Sequence, residues 1–87
     1  MSSEEIRERF DALDIEDVAE KRLRMYKIFE DILETITDTD TSVKALNELK
    51  DSNGYLYKLS QDFLLSSSTL DKEKKLEKIL EYVEKRD

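Results

Sequence analysis

Apolar residues recur at helical spacing along most of the chain. Ile6, Phe10 and Leu13 follow one another at i, i+4 and i+7 and predict a short amphipathic helix. A wider apolar stripe follows and predicts a second helix that is buried on two sides. Its members are Val18, Met25, Tyr26, Ile28, Phe29, Ile32, Leu33 and Ile36. The spacing leaves open whether residues 4–36 form one bent helix or two, with Ser3 and Asp14 as the expected caps.

A polar turn follows the second helix at Thr37–Thr41. Thr and Asp side chains compete for backbone hydrogen bonds and favour turns and caps, so Asp40 or Thr41 is expected to cap the next helix. The Asp-Thr-Asp order inside the turn resembles the start of a calcium loop, which needs Gly at its sixth position and Glu at its twelfth. Val43 and Leu49 occupy those positions. The segment is therefore interpreted as a capped turn rather than a metal site.

The third apolar segment runs through the single glycine of the chain. Positions 46, 49, 53, 56, 60 and 63 follow the heptad spacing of a packed helix. Because the pattern keeps its phase across Asn53-Gly54, one long helix is predicted, weakened at Gly54 by about 1 kcal/mol. A buried Asn53 would help to fix register and oligomer number. Alternatively, a break at this point leaves Asn53 as a cap in solvent.

The last helix follows a serine-rich break at Ser66–Thr69, with Ser68 or Thr69 as its expected cap. One face of this helix carries Leu76, Ile79, Leu80 and Val83. No segment alternates apolar and polar residues as a strand would, so the chain is predicted to be all-α. The expected architecture is one helical domain over residues 1–87. It is a three- to four-helix bundle with two long central antiparallel helices, and it forms oligomers.

The missing residue types narrow the possible chemistry. The chain has no His, Cys, Pro or Trp. It therefore lacks the usual zinc ligands and the usual base that activates a Ser or Thr nucleophile. We expect no enzymatic activity, no catalytic residues, no metal, no cofactor and no small-molecule substrate.

Charge and hydropathy bear on location and partners. The 22 acidic residues exceed the 15 basic ones, for a net charge of −7. Such a charge disfavours non-specific binding to DNA or anionic lipid and favours a basic partner, although it also serves solubility alone. The polar start is unlike a signal peptide, and no apolar run approaches the ~20 residues that span a bilayer. We expect a cytoplasmic protein without membrane contact.

Two further groups of residues are candidates for binding. Tyr55 and Tyr57 bracket the core position Leu56, so at least one should face outward as an interface anchor, unless both pack sideways within the chain. A basic cluster on the second helix could contact nucleic-acid phosphate. It comprises Lys21, Arg22, Arg24 and Lys27. Glu residues interleave with this cluster, and with a similar Lys-rich stretch at 72–78, so both are also explained as solvated helix faces.

The segment from Arg24 to Phe63 resembles the central helical hairpin of terminase small subunits from myovirus-type tailed phages. In that family an Asn is followed by an apolar position, a Lys-Leu pair, then Asp and another apolar residue. The matching positions are Asn53, Leu56, Lys58, Leu59, Asp62 and Phe63. Upstream, Lys27-Ile28-Phe29 followed by Glu34-Thr35 resembles the partner helix. The family's helix-turn-helix unit for reading DNA has no counterpart here.

The resemblance implies a non-catalytic protein that forms a ring and regulates viral DNA packaging. Its partners would be itself, a large terminase-like ATPase and DNA, in the cytoplasm of an infected host. The two long helices would place an apolar set within or between subunits: Tyr26, Phe29, Leu46, Leu49, Leu56 and Phe63. The wide stripe of the second helix agrees with this interpretation, because a lone small bundle covers such a stripe with difficulty.

Two other functions remain open from the sequence. An acidic inhibitor or DNA mimic would present carboxylates to a basic nucleic-acid-binding protein. A small regulatory module would dock one helix into a groove of its partner. The first requires carboxylates segregated from Lys and Arg, and the second requires a set of exposed apolar anchors.

Overall fold

The computed structural model describes residues 3–86, and within this range the chain forms five α-helices and no strand. The helices are α1 (Ser3–Asp11), α2 (Val18–Thr37), α3 (Ser42–Ser52), α4 (Gly54–Leu65) and α5 (Thr69–Arg86). The all-α prediction is confirmed. The expected three to four helices with two long central ones are wrong, because the chain has a separate α1 and the predicted second long helix is divided into α3 and α4.

The helix is interrupted between α1 and α2, so residues 4–36 form two helices rather than one bent helix. Asp17, not Asp14, caps α2: its carboxylate accepts hydrogen bonds from the backbone N–H groups of Ala19 and Glu20 at 3.0 and 3.2 Å. Leu13 lies in the connection and is buried. One apolar side chain therefore anchors the connection to the core, while the polar residues after it stay in solvent.

The predicted helix through Asn53-Gly54 is interrupted, and Asn53 caps both of the resulting helices. Its backbone N–H donates to the Leu49 carbonyl at the end of α3. Its side-chain oxygen accepts from the Leu56 N–H at the start of α4, at 3.1 Å. Its side-chain amide donates to the Tyr82 hydroxyl on α5 at 2.9 Å. The apolar pattern keeps its phase because the break occupies a single residue.

Two of the other expected caps are confirmed. Thr41 accepts from the Lys44 N–H at 3.2 Å at the start of α3. Ser68 accepts from the Asp71 N–H at 3.0 Å at the start of α5. Asp38 ends α2 in the left-handed region with φ 55°, so the Asp-Thr-Asp segment forms a helix-ending turn, as expected.

The core is closed within one chain. The apolar face of α2 is buried by the chain's own helices, with Met25, Ile32 and Leu33 each at 0 % exposure. α2 packs against α1, α3 and α5, which bears out a helix buried on more than one side. The inference that a lone chain covers this face with difficulty is wrong. It did not count the predicted short helix, α1, which packs against α2 and adds Ile6 and Phe10 to the core.

A buried lysine joins the end of α4 to α5. Lys72 is 4 % exposed, and its ammonium donates to the carbonyls of Phe63 and Leu64 at 3.0 and 3.4 Å. The same ammonium lies 5.0 Å from the ring centroids of Phe63 and Tyr26. A cation is favourable both at a helix C-terminus and over an aromatic face, so the charge is compensated without a carboxylate.

Ion pairs fasten α1 to the rest of the molecule. The Arg7 guanidinium forms two hydrogen bonds to the Glu84 carboxylate on α5 and lies 5.4 Å from the centroid of the Phe10 ring. The hydrogen bond to Glu84 raises the pKa of Arg7 above its ordinary value. Arg9 pairs with Asp31 on α2. The short helix is therefore held on two sides.

Replacing Asn53 tests its double capping. We expect Asn53→Ala to lower the free energy of unfolding by about 1–2 kcal/mol, because α4 loses its cap and Tyr82 loses a hydrogen-bond donor. Asn47→Ala is the matched control, since Asn47 is exposed within α3 and Ala favours a helix interior. Urea unfolding followed by circular dichroism measures both. Equal stability of the two variants would contradict the double cap.

Replacing Lys72 tests the buried cation. Lys72→Met keeps an unbranched side chain but removes the ammonium, and we expect a loss of about 1–2 kcal/mol in unfolding free energy. Lys74→Met, at an exposed position of the same helix, should leave stability nearly unchanged. Thermal unfolding of both variants measures the difference. A Lys72→Met protein as stable as the parent would show that burial of the stem alone holds α5 in place.

Candidate protein-interaction surface

The structure places the expected interface residues at very different depths. Four of the eight lie in the chain's own core: Phe29, Leu49, Leu56 and Phe63. Three more pack against that core and are half-buried: Tyr26, Leu46 and Tyr57. The Phe63 ring stacks on Phe29 with centroids 4.6 Å apart. An interface formed by the folded chain must therefore rely mainly on other residues.

The two tyrosines around Leu56 differ in exposure. Tyr55 is 61 % exposed, and its ring lies 5.3 Å from that of Tyr82. Tyr57 is half-buried, and its hydroxyl accepts from the Gln61 amide at 2.9 Å. One tyrosine faces outward, as expected, and the other packs within the chain.

The basic cluster of α2 is divided between two faces. Lys21 forms an ion pair with Glu73 on α5, with 3.2 Å between the ammonium nitrogen and the carboxylate oxygen. Arg22 also turns toward the start of α5, whereas Arg24 and Lys27 point to the opposite side and are exposed. The four cations do not present one phosphate-binding patch.

Arg24 and Lys27 border a groove of about 450 Å³ between α1 and α2. The groove is lined by Arg9, Ala12, Glu20, Leu23, Arg24, Lys27 and Ile28. Arg24 pairs with Glu20 at 2.9 Å, and Leu23 is 57 % exposed. The groove is open and mixed in polarity, which suits a side chain or helix of a partner better than a small substrate.

Acidic residues continue the same face of α2 beyond the groove. Asp31, Glu34 and Asp38 line a shallow depression with Thr35 and Thr39. We call the five charged residues Arg24, Lys27, Asp31, Glu34 and Asp38 the α2 stripe. The first four are separated by three or four positions, so they share one side of the helix, and Asp38, which ends the helix, lines the same depression as Asp31 and Glu34. The first two are basic and the last three are acidic.

A second surface lies where α2 begins and where α4 meets α5. Arg22 donates to the Ser67 carbonyl at 2.6 Å and to the Thr69 hydroxyl at 2.9 Å. Leu65 ends α4 and Leu70 follows Thr69, and these side chains are 78 % and 63 % exposed. Val18 lies one helical turn before Arg22 and is 57 % exposed. We call Val18, Leu65 and Leu70 the apolar corner.

Sequence reasoning missed the apolar corner. Val18 was assigned to the buried stripe of α2, yet it lies in the first turn, which extends past the core. Leu65 is out of phase with the core positions 56, 59 and 63 of α4. That mismatch in phase was the sequence signal that Leu65 would be exposed. The hydrogen bonds from Arg22 of α2 to Ser67 and Thr69, which place the α4–α5 turn beside α2, could not be found from spacing.

Two kinds of site are not found among the residues that the structure describes. No group of three or more His, Cys, Asp or Glu side chains is arranged to hold a metal ion within residues 3–86. In the same range, no helix combines the length and the apolar character needed to cross a membrane.

The chain was compared with protein-family models, with curated proteins and with solved structures. None of the three comparisons gives a match.

Proposed function

We propose that this chain is a non-enzymatic, self-associating helical adaptor that binds a partner protein at its apolar corner. The observation that carries the proposal is the exposure of Leu65, Leu70 and Val18, which lie in the chain on either side of the contact of Arg22 with Ser67 and Thr69, while the core is otherwise closed. Single exposed apolar residues are ordinary on protein surfaces, whereas a group of them marks an interaction site.

The corner is suited to act as a fixed anchor. Arg22 donates hydrogen bonds to Ser67 and Thr69 in the turn between α4 and α5. The buried Lys72 ammonium donates to the Phe63 carbonyl near the end of α4. A surface that is already ordered loses little conformational freedom when a partner docks, so more of the burial energy remains as affinity. Burying one leucine side chain contributes about 1.5–3 kcal/mol.

The most specific form of the proposal is a protein like the terminase small subunit, with a large terminase-like ATPase as the partner. It is supported by the residues that resemble that family, which here lie on α2, at the Asn53 cap and on α4. Two of them, Phe29 on α2 and Phe63 on α4, stack with ring centroids 4.6 Å apart. If DNA is contacted as well, Arg24 and Lys27 are the exposed cations of the cluster that remain for it.

The distribution of charge favours the adaptor over an acidic inhibitor or DNA mimic. Ion pairs interleave the two signs across α1, α2 and α5, as Arg7 with Glu84 and Lys21 with Glu73 illustrate. Carboxylates that form no ion pair among the described residues are spread over several elements, as Asp14, Glu34 and Asp51 illustrate, rather than along one extended face. A mimic of the DNA backbone needs a longer acidic surface.

A matched pair of variants tests the apolar corner. Leu70→Ser removes a leucine from the corner, and Val43→Ser removes a valine of similar exposure, 67 % against 63 %. Each residue is the second of its helix, so the two changes disturb folding alike. Each variant is immobilised and exposed to extract of the cells in which the protein occurs. We expect Val43→Ser to retain the protein captured by the parent chain, and Leu70→Ser to lose about tenfold or more in affinity.

The identity of the captured protein then separates the specific forms. An ATPase with a nuclease domain supports the terminase form, and a basic nucleic-acid-binding protein supports the inhibitor. Equal capture by both variants, or no capture by the parent chain, would overturn the assignment of the corner.

A further inference from the structure

The charges of the α2 stripe change sign along the helix. Arg24 and Lys27 lie toward its start, while Glu34 and Asp38 lie toward its end. Lys27 and Glu34 make no ion pair with any other residue of the described range. A helix face with one sign at each end is complementary to itself when two copies run in opposite directions.

From this pattern we propose that α2 is the self-association surface of the chain, pairing antiparallel with α2 of a second copy. The proposal deepens the proposed function, because it rests on the self-association part of it and names the surface. With the twofold axis near Asp31, Arg24 faces Asp38 of the other copy, since each lies seven residues from the centre. With the same axis, Lys27 lies opposite position 35 of the other copy, which is next to Glu34.

The centre of the pair is also compatible with close approach. The two Asp31 carboxylates meet near the axis, and each is already paired with Arg9 of its own chain. Their mutual repulsion is therefore compensated before the copies meet. Thr35 and Leu23 flank the charged residues, and the exposed Leu23 side chain supplies apolar contact area.

The charges disfavour a parallel arrangement of the two helices and indicate the strength of the contact. Side-by-side parallel helices would oppose like charges at both ends of the stripe. From Arg24 to Asp38 the stripe spans about 21 Å at 1.5 Å per residue, which gives a small and mostly polar interface. The dimer is consequently weak and salt-sensitive, because exposed ion pairs are screened at high ionic strength.

Charge reversal with complementation tests the register. Lys27→Glu and Glu34→Lys each place like charges opposite one another twice in a homodimer. An equal mixture of the two variants restores one reversed pair and one original pair in the heterodimer. Lys58→Glu and Glu48→Lys are the controls, since both positions are exposed on other helices and the changes in net charge are the same. Sedimentation at low salt, from about 10 µM to about 1 mM, measures dimerisation of each sample.

We expect each α2 variant alone to dimerise at least about tenfold more weakly than the parent chain, and their mixture to recover most of the affinity. The controls and their mixture should behave as the parent chain does. If the parent chain dimerises but the α2 variants are unaffected, or their mixture stays monomeric, the α2 assignment fails and self-association stands. A parent chain that is monomeric at the highest concentration overturns both the α2 assignment and self-association. The test of the apolar corner is unaffected by that result.

Discussion

The position of the Lys72 ammonium is the constraint on which much of the molecule depends. Lys72 belongs to α5, and its ammonium lies over the Tyr26 ring of α2 and over the Phe63 ring of α4, at the carbonyls that end α4. Three helices therefore meet at this charge. A charge removed from water is unfavourable unless dipoles or rings surround it, so this ammonium fixes the relative positions of all three helices. The turn from α4 to α5, and with it the direction of Leu65 and Leu70, follows from that arrangement.

The sequence was sufficient to predict helices but not their ends. Apolar spacing indicated every helical segment, and side-chain chemistry located the caps Thr41 and Ser68. The break at Asn53 was missed because one residue that caps two helices leaves the apolar phase intact. Asp17 was missed as a cap because Asp14 and Asp17 are chemically equal in sequence. In the structure, the connection continues past the buried Leu13 as far as Asp17, and α2 starts there.

The candidate surfaces were harder to predict, since they depend on which helices become neighbours. Lys21 and Arg22 look like part of one cationic cluster until α5 supplies Glu73 and Thr69 as partners. Phe29 and Phe63 look like interface anchors until the chain folds them against each other. The prediction of surplus apolar area failed because the contribution of a nine-residue helix to the core was not counted. The exposed surface includes a small apolar corner and a charged helix face, which suit reversible contacts better than an obligate assembly.

Asn53 has a consequence for local unfolding. In most helical hairpins, the end of one helix can fray while the start of the next stays closed. Here one residue closes both ends and reaches α5 through Tyr82. Amide hydrogens at the end of α3 and at the start of α4 therefore exchange with solvent through a shared opening event. The two short helices behave as one cooperative unit, although the chain between them is interrupted.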